Sequence, residues 1–249
     1  MTEGEIVPKL SFLNKLPNKK VEIPAVKATS NVEKTKIYFV DVKGAAQTEF
    51  RVGDITNLKY DATGEYYKAF LTNFPLGGAF NSRINLNLRE DKGWTYGARS
   101  GFNGDKYTGD FSFNSGIRAA ATDSALTEVL KELKEYAANG VTEDEMKFMK
   151  SALGQIDAQR YETGFQKAGF IGRILEYNLP ANYADLQNEI LKNITKAELD
   201  AVAKKWLNVD KMNILLVGDK EKVLPTLQKF GYEIIELDID GNPVLKKGF

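Results

Sequence analysis

Residues 76–100 read LGGAFNSRINLNLREDKGWTYGARS, a run in which glycines separate two regular elements. Gly77 and Gly78 break a preceding helix, and they are expected to serve a turn or close backbone packing. The apolar positions that follow recur at helical spacing and predict a helix over 79–89. Gly93 has the position of a helix C-terminus, and a strand is predicted after it. The segment is therefore expected to be a helix, a tight reversal and a strand.

Two side chains flank this reversal. Arg89 lies at the end of the predicted helix and Tyr96 on the strand behind it, so both could point toward one cleft. A phenol that donates a hydrogen bond beside a guanidinium suits a developing oxyanion. The residues alone favour a structural interpretation, because a helix dipole stabilises an arginine at that helix end and strand tyrosines commonly lie in a core or on a surface.

Length and net charge limit the classes of protein to which the chain can belong. The chain has 249 residues, 43% of them hydrophobic, with 34 basic and 34 acidic residues. This is enough for one large domain or two small ones with a substantial core. Because the net charge is zero, no basic field would attract nucleic acid or an anionic membrane. No apolar run approaches the roughly 18 residues that a membrane span needs, so membrane insertion is not expected.

The sequence contains no histidine and no cysteine. Without histidine there is no Ser-His-Asp triad, no histidine general base and no His-x-x-Glu-His or His-Glu-x-x-His zinc site. Without cysteine there is no disulfide and no thiolate nucleophile or metal ligand. No loop has the alternating acidic spacing of a hard-cation site. We therefore expect no metal in this chain, and any catalytic role must use Arg, Tyr, Lys, Asp, Glu or backbone groups.

The remaining sequence has two groups of strand patterns with a helical block between them. Residues 36–42 and 47–53 predict two strands that form a hairpin or lie side by side. Further strands are predicted over 95–101, 107–117, 212–217 and 233–237. This order favours an α+β fold, in which a mainly antiparallel sheet has helices packed on one face.

The chain is predicted to consist of an arm and one domain. Residues 1–30 carry three prolines and no sustained periodicity, and they predict a linker or extended arm. Residues 31–249 are predicted to form a single domain.

Three local features of that domain have a structural interpretation. Thr142-x-x-Glu145 and Thr195-x-x-Glu198 are capping-box patterns that predict helix starts. Arg83 is expected to pair with a carboxylate of a neighbouring helix.

The order of these motifs resembles the pitrilysin or insulinase-type metallopeptidases, the family with an inverted zinc motif that includes mitochondrial processing peptidase. The matching positions are Gly77-Gly78, Ser82-Arg83, Leu88-Arg89-Glu90-x-Lys92-Gly93 and Tyr96, with Asp41, Ala45 and Gln47 before them and Val141–Glu145 after them. The lysine is displaced by one position from the family pattern. Each motif alone is modest, and their order and spacing make the resemblance specific.

The resemblance implies a division of labour between two homologous domains or subunits. One holds zinc through His-x-x-Glu-His and a distal glutamate, and the other supplies an Arg/Tyr pair seven residues apart. Arg89 and Tyr96 have this separation, and the lack of histidine matches the second kind of domain. The resemblance implies the LuxS/mitochondrial-processing-peptidase-like metallohydrolase fold. It also implies that Arg89 and Tyr96 are the catalytic and substrate-binding residues.

The same resemblance implies the partners. Zinc would lie on the homologous partner domain, and the substrates would be peptides or unfolded protein segments. The isolated chain would cleave nothing, and the location would be periplasmic or cytoplasmic in a bacterium.

Two other interpretations stay open. Core subunits of respiratory complexes share this fold, so the chain could be a catalytically inert assembly homologue with Arg89 and Tyr96 as relics. The intact spacing of the pair argues against this. A self-sufficient hydrolase that uses carboxylates alone has no supporting spacing in the sequence.

Overall fold

A six-stranded sheet forms the centre of the structure, a computed structural model that describes residues 2–22, 25, 32–156 and 162–244. The strands are β1 (Lys36–Asp41), β2 (Gln47–Ile55), β3 (Thr95–Gly104), β4 (Gly109–Arg118), β5 (Asn213–Gly218) and β6 (Glu233–Leu237). Their order in the sheet is β3-β4-β2-β5-β1-β6. The pairs β3-β4, β4-β2 and β2-β5 are antiparallel, whereas β5-β1 and β1-β6 are parallel. The predicted α+β fold with a mainly antiparallel sheet is confirmed.

The strands β1 and β2 do not pair with each other, so the predicted hairpin or side-by-side arrangement is wrong. β5 lies between them, with Ile214 opposite Ile37 of β1 and Leu216 opposite Phe39. The connection over 42–46 therefore spans two strand spacings, about 10 Å, which five residues cover easily. Short-range patterns cannot show that a strand from near the end of the chain inserts there.

The described part of the chain contains nine helices, most of which cover one face of the sheet, whereas the first is fully exposed. They are α1 (Glu3–Ile6), α2 (Glu65–Asn73), α3 (Arg83–Asn85), α4 (Thr122–Asn139), α5 (Glu143–Ile156), α6 (Gly164–Tyr177), α7 (Tyr183–Asn193), α8 (Lys196–Trp206) and α9 (Lys220–Leu227). Short 3-10 turns occupy Val7–Lys15, Ala119–Ala121, Val209–Lys211 and Gln228–Phe230. Within the described part of the chain, no helix has the length and apolar composition that a bilayer crossing requires.

The core lies between this sheet face and the helices. Alternate residues of the central strands are fully buried, among them Phe50 of β2 and Phe113 of β4. The stripe of α4 that contains Leu126, Val129 and Leu133 is buried as well. This period of two in the strands and 3.6 in the helix is the pattern from which both elements were predicted.

Two helices begin as the capping patterns predict. The amide of Thr142 donates to Glu145 Oε2 over 2.8 Å, and the amide of Glu145 donates back to Thr142 Oγ1 over 3.2 Å. Thr195 and Glu198 make the same reciprocal pair at 3.0 and 3.3 Å. Both boxes satisfy amides that a helix N-terminus would otherwise leave unpaired.

The N-terminal segment differs from an extended arm. Its residues 2–22 are exposed, and residues 3–15 form helical turns. The amide of Thr2 donates to Glu5 Oε2 over 2.7 Å, and Pro8 lies in the first turn of the following 3-10 segment, where its missing N–H costs nothing. Residues 23, 24 and 26–31, which contain the end of the predicted linker or arm, lie outside the described residues, so the division at residue 31 stays a prediction.

Candidate active site

The segment predicted as one helix over 79–89 is only partly α-helical. A wide π-type turn over Phe74–Gly78 follows α2, and only Arg83–Asn85 is α-helical. A second π-type turn over Leu86–Asp91 completes the segment. The predicted helix is therefore both shorter and wider than expected. Wide turns of this kind are rare and occur frequently at functional sites.

Gly77 brings this segment against strand β3. A Cβ at Gly77 would lie 2.1 Å from Ser100 Oγ and 2.7 Å from the Ser100 amide nitrogen. Ser100 Oγ donates to Asn73 Oδ1, and Asn73 Nδ2 donates to the Ser100 carbonyl, both over 2.7 Å. Close backbone packing, one of the two roles expected of this glycine, is confirmed.

The chain reverses at Gly93, as predicted. Its φ of +59° is in the left-handed region that favours glycine. The Gly93 amide donates to the Arg89 carbonyl over 3.1 Å, and the Trp94 amide donates to the Leu88 carbonyl over 3.0 Å. These bonds place the start of β3 directly beside the end of the preceding turn.

Tyr96 lies in a β-bulge at the start of β3. The pairing of β3 with β4 shifts register between Thr95 and Ala98. The Thr95 hydroxyl holds the bulge, because it donates to the Gly97 carbonyl and accepts from the Gly97 amide. The Tyr96 residue is 91% exposed, and it makes no hydrogen bond to any residue that the structure describes. Bulges redirect side chains and are frequent beside active sites.

Asn85 binds the backbone both of the segment before Arg89 and of the strand after Tyr96. It is fully buried; its Oδ1 accepts from the Ala98 amide over 2.9 Å, and its Nδ2 donates to the Phe80 carbonyl over 2.7 Å. This residue was not predicted from the sequence as part of the site. The available signal was an asparagine among the apolar positions of a predicted helix, since a buried amide needs both a donor and an acceptor partner.

Arg89 is held against an aromatic ring. Its side chain is 32% exposed, its Cζ lies 4.3 Å from the Phe80 ring centroid, and its Nη1 is 3.1 Å from Glu90 Oε1. The Arg99 guanidinium approaches the same ring, at 5.9 Å, and donates to the Ala79 carbonyl over 3.2 Å. Phe80, which is 51% exposed, thus lies near two guanidinium groups. A cation over a ring face is attracted by the ring quadrupole.

Arg89 lies on the turn Leu86–Asp91 and Tyr96 on the strand β3 that follows it, and within the described part of the chain no hydrogen bond, ion pair or ring contact joins their side chains. The connection passes through Phe80, whose ring faces Arg89 and whose carbonyl is bound by Asn85. Asn85 in turn binds Ala98 at the end of the bulge. Phe80, like Asn85, was not identified from the sequence as part of the site.

Arg83 forms the ion pair that the sequence predicts. Its Nε and Nη2 donate to the two carboxylate oxygens of Glu145, both over 2.8 Å, and its Cζ lies 4.8 Å from the Tyr136 ring centroid. Burial opposes ionisation of Glu145, but hydrogen bonds from Arg83 and Thr142 lower the pKa of its carboxyl. The pair joins α3, which precedes the turn that carries Arg89, to α5.

The chain offers no suitable ligands for zinc. Histidine and cysteine are absent from the sequence. Among the residues that the structure describes, no three acidic side chains cluster in a way that could hold a metal ion. Tight zinc sites in proteins are built on imidazole or thiolate ligands, in some cases with an added carboxylate, so the residues present here do not fit this metal.

Known proteins resemble this chain in sequence and in fold. A family profile described as peptidase M16 inactive domain matches residues 2–153. A solved peptidase M16 inactive domain from Pseudomonas fluorescens has a TM-score of 0.76 and 25% identity, over 88% of this chain and 51% of that chain. A protease from Helicobacter pylori has a TM-score of 0.74 and 14% identity, over 88% and 53%. The periplasmic protease PqqL from Escherichia coli has a TM-score of 0.67 and 15% identity, over 88% and 24%.

These comparisons confirm the family and the fold that the sequence motifs implied. The last two similarities, both under 25% identity, support the fold alone. The chain spans about half the length, or less, of these three solved chains. No match was found among curated protein sequences.

Proposed function

Because this chain belongs to the family of M16 peptidase inactive domains, we propose that it is the non-metal half of a zinc-dependent endopeptidase. Its substrates would be peptides or unfolded protein segments. A homologous domain with a His-x-x-Glu-His motif, in the same polypeptide or in a separate subunit, would hold the zinc. The chain alone would be inactive, because its residues do not fit a zinc site.

The observation that carries the proposal is the presentation of Tyr96. Its side chain is 91% exposed in a bulge whose backbone is fixed by Thr95 and Asn85. An accessible side chain on a fixed backbone can contact a bound molecule without reorganisation of the chain. Arg89, on the neighbouring turn, is oriented by the Phe80 ring and retains a one-third exposed side chain.

The two side chains would divide the work on a bound peptide. The Tyr96 hydroxyl would donate a hydrogen bond to the oxygen that becomes negative when the scissile carbonyl is attacked. Arg89 would bind a substrate carbonyl just beyond the cut, which positions the peptide. The zinc of the partner domain, when bound, supplies Lewis-acid activation of the attacking water. Because the Tyr96 backbone is already fixed, little reorganisation would be needed as charge develops.

The test requires the assembled peptidase, with the zinc-bearing homologous domain present. Tyr96→Phe removes only the hydroxyl, so kcat for an unstructured fluorogenic peptide should fall by about ten- to a thousand-fold. Tyr107→Phe is the matched control, because Tyr107 is a 42% exposed tyrosine in the turn between β3 and β4, at the end of β3 opposite to Tyr96. Unchanged turnover in Tyr96→Phe would overturn the catalytic role. The inert assembly homologue would then be the better description.

A further inference from the structure

A separate cavity of about 640 Å³ opens between α2, the turn after β3, and helices α6 and α7. Seven of the residues that line it are aromatic. Gly104, the last residue of β3, lines the cavity, whereas Tyr96 is the second residue of the same strand. Eight residues of strand correspond to roughly 26 Å. The cavity is therefore distinct from the region of Arg89 and Tyr96.

Hydrogen bonds and ring contacts hold the cavity walls in place. Tyr60 contacts Tyr177 with 4.1 Å and Tyr66 with 5.1 Å between ring centroids. The Tyr66 hydroxyl donates to the Phe102 carbonyl over 3.2 Å. Burial raises the pKa values of Tyr60 and Tyr66, so both phenols stay neutral under ordinary conditions. This wall is aromatic, carries the tyrosine hydroxyls and is already formed.

The opposite wall consists of helical side chains. The rings of Phe170 (α6) and Tyr183 (α7) stack at 4.9 Å with an angle of 17°. Gln187 of α7 donates to the Ala62 carbonyl over 2.7 Å, which ties α7 to the segment before α2. In contrast, no residue of α6 is buried. An occupant of the cavity would therefore bury apolar surface on α6 that the chain alone leaves accessible.

The charges around the cavity are two cations and the carboxylate of Glu176, and their net positive charge disfavours a cationic occupant. The Arg173 guanidinium lies 6.0 Å from the Tyr60 ring centroid, and the Lys106 ammonium lies 5.7 Å from that of Tyr177. Two ring systems thus already have a cation at their faces, and a second cation would meet like charge. The volume is in the range of small-molecule sites and exceeds that of one side chain. A neutral aromatic ring with adjoining polar atoms fits both the charge and the volume of the cavity.

We propose that this cavity binds a neutral aromatic side chain, with its adjoining backbone, from an unfolded polypeptide. The choice of a polypeptide as the occupant rests on the proposed function. Aromatic rings pack favourably against one another in offset or tilted arrangements. The polar lining residues Arg173 and Glu176 of α6 can meet backbone carbonyls and amides. The cavity would add affinity for substrates with an aromatic residue remote from the cleaved bond.

Two glycines of α6 provide a matched pair of variants. Gly169 lines the cavity and Gly172 does not, and a Cβ at either position meets no atom within 4 Å. Leucine at either position raises helix propensity. Gly169→Leu should fill the cavity without removing a wall, whereas Gly172→Leu adds the same side chain elsewhere on the helix. Phe170→Ala tests the wall itself, and Phe165→Ala, at an 89% exposed position of the same helix, is its control.

The experiment measures binding to the chain alone, without partner domain or zinc. The probe is an acetylated, amidated pentapeptide with a central 4-fluorophenylalanine between alanines and glycines. Its binding is followed by fluorine NMR. Competitor peptides carry phenylalanine, alanine or lysine at the centre. The phenylalanine competitor should bind about ten-fold or more tightly than the alanine one, as burial of a phenyl group predicts. Gly169→Leu and Phe170→Ala should each weaken the probe about ten-fold, with the control variants unchanged.

Several outcomes would overturn the cavity proposal. These are equal affinity of the phenylalanine and alanine competitors, tightest binding of the lysine competitor, or equal effects of Gly169→Leu and Gly172→Leu. Because neither zinc nor cleavage is involved, these results are independent of the Tyr96→Phe experiment. Failure of binding with an intact effect of Tyr96→Phe would reject the cavity and keep the peptidase.

Discussion

The Oδ1 atom of Asn85 lies 2.9 Å from the amide nitrogen of Ala98, at the position where β3 regains its register with β4. This buried contact links the turn that precedes Arg89 to the bulge that presents Tyr96. The amide is used at both ends, because its Nδ2 also binds the Phe80 carbonyl. A single side chain therefore positions the surroundings of both proposed active-site residues.

Replacement of Asn85 by alanine should destabilise the chain and impair the assembled peptidase. The variant leaves one buried amide and one carbonyl without partners, which costs about 2 kcal/mol or more. Asn81→Ala, four residues earlier at an exposed position, is the control. The free energy of unfolding from denaturant titration should fall only in Asn85→Ala, with faster hydrogen exchange at the Ala98 amide. Equal stability of the two variants would contradict the positioning role.

The proposed role of Arg89 predicts a defect in substrate binding. Arg89→Lys keeps the charge but loses the planar fork of donors and the stacking on Phe80. If Arg89 binds a substrate carbonyl in both ground and transition states, KM of the assembled enzyme should rise about ten-fold with a smaller change in kcat. Arg51→Lys is the control, because the Arg51 side chain is 55% exposed and lies on β2, away from the turn that carries Arg89. A loss confined to kcat would instead assign Arg89 to the transition state alone.

Gly77 should not tolerate a side chain. In Gly77→Ala the new methyl group would lie 2.1 Å from Ser100 Oγ, so the backbone or β3 must shift. Overpacking of this kind costs about 1–3 kcal/mol. Gly101→Ala, on the same strand as Ser100, meets no atom within 4 Å and should change stability by less than about 0.5 kcal/mol. Thermal unfolding of the two variants compares them directly. Similar melting temperatures would show that Ser100 and its surroundings can move to accommodate the methyl group.

Asp54 should make stability depend on pH. It is 7% exposed, and burial, with a further contribution from the negative charge of Asp110, raises its pKa from 3.8 to about 7. The fold therefore favours the protonated form, so the contribution of Asp54 to the free energy of unfolding is complete below about pH 4. It is lost as the pH rises toward 7. Each pKa unit corresponds to about 1.4 kcal/mol, so the loss amounts to a few kcal/mol at most.

Asp54→Asn tests this assignment. The neutral amide should remove most of the decline in stability between pH 4 and 7 and stabilise the chain at pH 8, as measured by urea unfolding at each pH. Asp110→Asn removes only the neighbouring charge and should flatten the decline less. A wild-type pH profile in Asp54→Asn would show that this carboxyl does not titrate in the stated range.

Features that depend on neighbouring residues could be predicted well from the sequence. The reversal at Gly93, the capping boxes at Thr142 and Thr195, and the strand over 233–237 all appear where their patterns placed them. Each rests on interactions within a few residues, so local sequence contains the information. The composition was equally informative, because absent residue types exclude whole classes of site.

Features that depend on distant segments could not be predicted in this way. The insertion of β5 between β1 and β2, the widened turns around Gly77, and the burial of Asn85 arise from contacts across the fold. The aromatic cavity likewise gathers rings from α2, α6 and α7. No short-range pattern encodes such pairings, because their free energy comes from surfaces that meet only after folding.

The amino-acid sequence alone established that this chain lacks imidazole and thiolate ligands, and that an arginine and a tyrosine lie seven residues apart across a reversal. It could not establish how those two side chains are presented. The orientation of the two side chains depends on contacts between segments, made by the bulge, the Phe80 ring and the Asn85 amide. Residue identity fixes which chemistry is available, whereas packing between distant segments fixes the direction in which each group points.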